Sequence, residues 1–145
     1  MIRITLLLMV MFLGLVVSAQ DITGYWTTID DNTGKERSVV HIYKQGNEFF
    51  GKVVKINTEP GDDPNPVCDD CDTDDDRYNQ SILGMEIIRN LKKDGSEFTG
   101  GDILDAENGT VYRCSLWLDG DDLKVRGYVA FFYRTQTWKR FNGKI

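Results

Sequence analysis

Histidine is almost missing from this chain: His41 is the sole example in 145 residues. Any Ser-His-Asp site would have to use it. No Gly-x-Ser-x-Gly elbow accompanies it, and His41 shares its run with Val39 and Tyr43, so a structural or surface role is expected. Proline is scarce too, with three residues, all between Thr58 and Gln80. Basic residues are in the minority, 17 against 23 acidic, for a formal charge of −6. A chain of that sign has no electrostatic footprint for nucleic acid or an anionic lipid surface. Beyond the first nineteen residues no apolar run approaches the roughly 20 residues a membrane-spanning helix needs. No amphipathic stretch of helical period and useful length occurs there either, which argues against a helical fold.

What is present begins with a leader. Arg3 supplies a positive start, Leu6 to Val17 is apolar apart from Gly14, and Val17-Ser18-Ala19 resembles a cleavage site before Gln20. Residues 1–19 are therefore expected to be a secretory signal peptide. No cysteine stands near that site, which disfavours a lipid anchor. Residues 20–145 are expected to form one domain. Their location would be periplasmic or secreted, without a membrane span.

Short alternating runs fill the rest. Trp26 to Ile29, Ser38 to Tyr43, and Glu48 to Asn57 read as strands, joined by Asp30-Asp31-Asn32-Thr33-Gly34 and Gln45-Gly46-Asn47. A fourth run starts at Ile82 and places Leu83, Met85, Ile87, Arg89 and Leu91 on one face. Glu97 to Leu104, Val111 to Leu118, Leu123 to Val129, and Thr135 to Phe141 complete eight, with Asp94-Gly95, Asn108-Gly109 and Asp119-Gly120 as turns. Eight short strands joined by short turns predict an all-β, up-and-down antiparallel barrel, with an open β-sandwich as the alternative. Such a barrel either fills with side chains or encloses one small ligand.

The long interruption is Thr58 to Gln80, with eight Asp among its residues. A loop of that length in a compact domain is commonly functional. Within it lie Cys68 and Cys71, for which three readings compete. A redox pair needs a lowered thiol pKa, which the neighbouring Asp residues oppose. A zinc site needs four ligands. A disulfide needs nothing more, and it leaves Cys114 as a buried free thiol. Calcium is the other candidate, with Asp72, Asp74 and Asp76 at alternate positions. The EF-hand template fails, because Arg77 stands where Gly is needed and Leu83 where Glu is needed. A solvated acidic loop is the simpler reading, and no metal or other cofactor is assigned.

The ordered motifs Gly24-x-Trp26, Asp30-Asp31-x-Thr33-Gly34-Lys35, Leu83-Gly84-Met85, Gly101-x-Ile103-x-Asp105, Asn108-Gly109-x-x-Tyr112, Val125-Arg126-Gly127-Tyr128 and Arg134-Thr135-Gln136-Thr137-Trp138 are informative together. In that order they resemble the bacterial family called domain of unknown function 2147, from Gly24 to Phe141. The resemblance implies an exported bacterial protein with a lipocalin-like barrel, and it implies no reaction. Lipocalins and fatty-acid-binding proteins are more distantly similar. They pack a first-strand Trp under a late Arg, which here implies Trp26 with Arg140 or Arg134, near Trp138.

Three functions follow as alternatives. The first is a binding barrel for a small, partly apolar molecule. Met85, Ile87, Arg89, Arg126 and Tyr128 are its candidate contacts, with Arg89 able to meet an anionic head if its face is the lumen. The alternative for Arg89 is a strand-end position reaching water. The second function is an envelope protein with a packed core that meets a protein partner. The third is an enzyme at the barrel mouth, for which no catalytic residue is identified. Oligomeric state is left open.

Overall fold

The computed structural model describes residues 20–145, so the leader expected over 1–19 lies outside the described residues. Eight strands follow one another: β1 Gly24–Ile29, β2 Glu36–Gln45, β3 Glu48–Ile56, β4 Glu86–Asp94, β5 Glu97–Asp105, β6 Thr110–Asp119, β7 Asp122–Val129 and β8 Phe132–Arg140. Each pairs antiparallel with the next, and β8 returns to β1, closing the barrel. The sheet therefore has no open edge, and the sandwich alternative is excluded. Among the described residues no helix is long and apolar enough to cross a membrane.

Two-residue alternation decides which side chains enter. In β7, Leu123 and Val125 are buried while Lys124 and Arg126 are only partly covered. In β8, the residues opposite Val129, Gly127, Val125 and Leu123 are Phe132, Arg134, Gln136 and Trp138, so these four share the inner face. This strand begins three residues before the expected Thr135. The cause is its hairpin turn, which carries no Gly, Asn, Asp or Pro. Ala130 takes the left-handed conformation instead, at φ 49°, and the sequence offers no turn signal there.

β4 departs further from expectation. It begins at Glu86 rather than Ile82, because Gly84 turns the chain at φ 87° and Leu83 is left exposed. The β3–β4 register then slips, with Gly51 opposite Ile88 and Lys52 opposite Glu86. Ile87 and Ile88 are both buried across that bulge. Asn90, at φ 60°, absorbs another irregularity before Leu91. A strict alternation through this strand fails for these reasons.

One end of the barrel is solid. Phe49 and Phe98 meet edge to face with centroids 4.8 Å apart, and Ile42, Leu91, Leu116 and Leu123 are fully buried with them. Trp26 fills the base and donates its indole N–H to the Ile22 carbonyl at 2.8 Å. Arg140 covers it, with Cζ 3.8 Å from the ring centroid, and donates to the Thr23 carbonyl at 3.0 Å. The late arginine of the sequence argument is therefore Arg140. Arg134 sits at the opposite end, paired with Asp31.

Trp26→Ala leaves a void in the base and removes the surface on which Arg140 lies. The expected loss is about 3–5 kcal/mol, read as a lowered urea midpoint at unchanged slope. An unchanged midpoint would reject the role given to Trp26.

Candidate functional site

The other end of the barrel is hollow. A cavity of about 1140 Å³, including its mouth, opens between the β1–β2, β3–β4, β5–β6 and β7–β8 connections. Its inner wall is apolar and aromatic: Val53, Ile87, Ile103, Tyr112, Val125 and Trp138. Gly127 leaves room facing Tyr112, since a Cβ there would lie 3.4 Å from the tyrosine Cβ. Trp138 is buried and donates its indole N–H to Gln136 Oε1 at 3.0 Å, which fixes both groups on the wall. The sequence pattern explains the hollow. The inward positions of β7 and β8 include Gly127 and Gln136 at the mouth and Leu123 at the solid end, with Trp138 at the boundary between them.

The rim is charged. Nine carboxylates line it, from Asp30, Asp31, Glu36, Glu59, Asp62, Asp63, Asp69, Asp105 and Glu107, against three cations, Lys35, Arg37 and Arg134. Each cation is already paired. Lys35 meets Glu59 at 2.6 Å, Arg37 bridges Asp30 and Glu107, and Arg134 meets Asp31. Asp31 also accepts from Gln136 Nε2 at 3.2 Å. The pKa of Asp30 is lowered chiefly by the backbone N–H groups of Thr33 and Asn32, which favour its charged form.

The acidic loop divides into two parts. Its first part joins the cavity wall through Thr58, Glu59, Asp62, Asp63, Pro66, Val67 and Asp69. Val67 bridges to Ser81, and the Cys68 N–H donates to the Gln80 carbonyl at 2.9 Å. Cys68 and Cys71 are joined as a disulfide and buried against the rest of the core, while Cys114 is free and buried. Gly109, at φ 71°, is required beside this pair, because a Cβ there would overlap the Asp70 carbonyl.

The second part is fastened to β4. Arg77 is buried, holds Asp75 through Nε at 2.8 Å and Nη2 at 2.7 Å, and donates Nη1 to the Glu86 carbonyl at 3.2 Å. Arg89 grips both Asp76 oxygens, at 2.8 and 3.0 Å, and bonds Glu86 Oε1 through Nε at 2.9 Å. Tyr43 donates to Glu86 Oε2 at 2.7 Å. The Arg77 side chain holds the Asp75 carboxyl far below the usual carboxylate range. Hydrogen bonding to Arg89 lowers that of Asp76. Burial, and then the bond to Glu86, pushes the Tyr43 phenol up to about 12.

Of the five contacts expected from sequence, the cavity takes only Ile87. Met85 is buried in the core but does not line the cavity. Arg89 does not enter the lumen; the bulge at Ile87–Ile88 turns it out to the loop, where Asp76 and Glu86 satisfy it. Arg126 and Tyr128 alternate with the inward Val125 and Gly127 and so face outward. Arg126 lies 4.1 Å from the Tyr133 ring centroid and 4.9 Å from that of Trp117, and donates to Thr135 Oγ1 at 2.8 Å. His41 stacks on Tyr25 at 4.4 Å and neighbours Tyr43, with no hydroxyl or carboxylate partner among the described residues. Burial, and then the charge of Lys52, lowers its pKa.

The metal candidates also separate. Asp76 is held by Arg89, and Asp72 accepts the Asp74 N–H at 3.0 Å. Among the described residues no three His, Cys, Asp or Glu side chains are grouped to hold calcium or zinc. The residues the sequence argument missed are the inward ones of β8, Phe132, Arg134 and Gln136, together with Ile103 and Tyr112. Strand parity counted back from Trp138 would have found the first three.

A family model described as "Uncharacterized protein conserved in bacteria (DUF2147)" matches residues 24–140. The chain belongs to this family. No curated protein matches it. Among solved structures, it is similar to one titled "Protein HP1028 from the human pathogen Helicobacter pylori belongs to the lipocalin family". The TM-score is 0.71 at 18% identity, covering 86% of this chain and 85% of that one. At that identity the likeness is one of fold, and it agrees with the lipocalin-like barrel.

Two outcomes are expected. Thiol labelling of the native, unreduced protein should find almost nothing, since burial pushes the Cys114 thiol up to about 12. Denaturation without reductant should release one thiol, and counting three would reject the Cys68–Cys71 pairing. The second outcome concerns acid. Asp75 and Asp76 carry folded pKa values below the ordinary 3.8, so the stability their bonds give is complete above that value, declines progressively beneath it, and is gone only once pH passes through the folded values. Amide exchange corrected for intrinsic rate should therefore quicken across Asp72 to Gln80 on acidification below pH about 4, before the strands respond. Simultaneous loss of protection in loop and strands would refute a separable fastening.

Proposed function

We propose that this DUF2147 member is an exported small-ligand-binding barrel of the bacterial envelope, working as a carrier or sensor of a partly apolar molecule. The observation that carries the reading is the hollow half of the barrel. A closed sheet with a solid base and a cavity of about 1140 Å³ including its charged mouth, apolar on its inner wall, has room to bury a small molecule. Export is supported by the apolar leader over residues 1–19 and by a disulfide in the folded chain. Fold likeness to a lipocalin supports the same use by analogy alone. His41, which any Ser-His-Asp site would have to use, does not line this cavity.

The test uses a neutral apolar fluorophore, N-phenyl-1-naphthylamine. Saturable one-site binding is expected, with tryptophan-to-probe energy transfer that is reduced, not abolished, in Trp138→Phe while calorimetric binding persists, since Trp26 and Trp117 remain. Ile103→Trp, which fills the chamber, should weaken binding by about tenfold or more. Absence of saturable binding, or binding indifferent to the filled chamber, would overturn the proposal.

A further inference from the structure

The chamber and its rim differ in a way that specifies a ligand. Inside, the wall is largely apolar and carries the Tyr112 and Trp138 rings, while the exposed Phe132 ring stands at the mouth. At the rim, carboxylates outnumber cations by nine to three. Lys35, Arg37 and Arg134 each meet a rim carboxylate, so an anionic group would have to compete for them. Five rim carboxylates, those of Glu36, Asp62, Asp63, Asp69 and Asp105, form no ion pair among the described residues. Asp62 and Asp63 bond only backbone N–H groups, of Glu59 and Asn65. An excess of carboxylates around the opening of an apolar cavity produces a negative potential that the opening focuses. An anionic head would lose hydration and could gain a partner only by displacing a carboxylate already in place. A cation gains twice, from the carboxylates and from aromatic faces. The sole expectation for an anionic ligand rested on Arg89, and that guanidinium is spent outside the lumen.

We infer that the chamber takes a cationic amphiphile, with its apolar body in the barrel and an amine or quaternary ammonium head at the carboxylate rim. This rests on the binding function proposed above, and names the chemical class of the ligand. Two independent features point to it. The hollow requires an apolar body, and the rim, where carboxylates outnumber cations by nine to three, selects the sign of the head. The loop contributes to that selection directly, since Asp62, Asp63 and Asp69 come from it. The loop is thus part of the site, through its first half, while its second half holds it in place.

The experiment compares three probes of one chain length below their micelle concentrations: decyltrimethylammonium, decanoate and the neutral decyl maltoside. Calorimetry on the full mature chain is expected to rank the cation at least about tenfold tighter than decanoate at low salt. That gap should narrow at high salt, as screening requires. The neutral probe should be insensitive to salt. Two variants remove rim charge without touching the chamber. Asp62→Asn with Asp63→Asn keeps the oxygens that accept the backbone bonds. Glu36→Gln with Asp69→Asn changes side chains that make no hydrogen bond. Each pair should shrink the gap between cation and anion and leave decyl maltoside unchanged. Equal or tighter binding of decanoate, or a gap unaffected by both variants, would overturn the charge assignment while the binding barrel stands. Failure of all three probes to bind would overturn the binding barrel itself, and this inference with it.

Discussion

The barrel depends on one seam. β1 is only six residues long, and it meets β8 through Trp26 opposite Arg140 and Thr27 opposite Lys139. A ladder this short is weak by itself. The Trp26 ring and the Arg140 guanidinium reinforce it by stacking, and the Phe141 N–H adds a bond to the Tyr25 carbonyl at 2.9 Å. Arg140 also reaches the Thr23 carbonyl, tying the entering chain to the leaving one. Because closure holds the other seven strands at a fixed curvature, the shape of the chamber at the far end follows from this contact at the base.

The two ends therefore divide the work. Close-packed side chains at the base supply rigidity. At the mouth, Gly127 and Gln136 replace bulk with space, and the hollow that results exposes apolar wall to whatever enters. Small and polar residues on inner positions cost packing there, which the solid half offsets. A hollow of this kind is the usual place where such a barrel gives up stability for function.

The loop shows how a long insertion can be kept ordered without a helix or strand of its own. Its disulfide is buried, and two arginines connect it to a single strand. Arg77 and Arg89 converge on Asp75, Asp76 and Glu86, so alternate charges satisfy one another in place of a hydrophobic seam. Bidentate geometry gives such pairs direction as well as attraction. Within the acidic run that suggested calcium, Asp75 and Asp76 take arginine from the chain itself as their counter-charge.

Eight strands, their antiparallel order, the barrel class and the free Cys114 were legible in the residues alone. Period-two alternation and turn chemistry act over a few neighbours, and any window of the chain reveals them. The pairing of Cys68 with Cys71 was likewise within reach, because three positions separate them. The contacts of Arg89 were not. They depend on a bulge in β4 and on loop residues thirteen positions earlier, and a one-residue slip reverses every facing. Whether the interior is filled or hollow was equally beyond local reading. It is decided by which inward side chains from eight strands share one layer, as Gly127, Gln136 and Tyr112 do at the mouth, and Phe49, Phe98 and Trp26 do at the base. Only closure of the sheet brings those residues together, so only the tertiary structure could decide it.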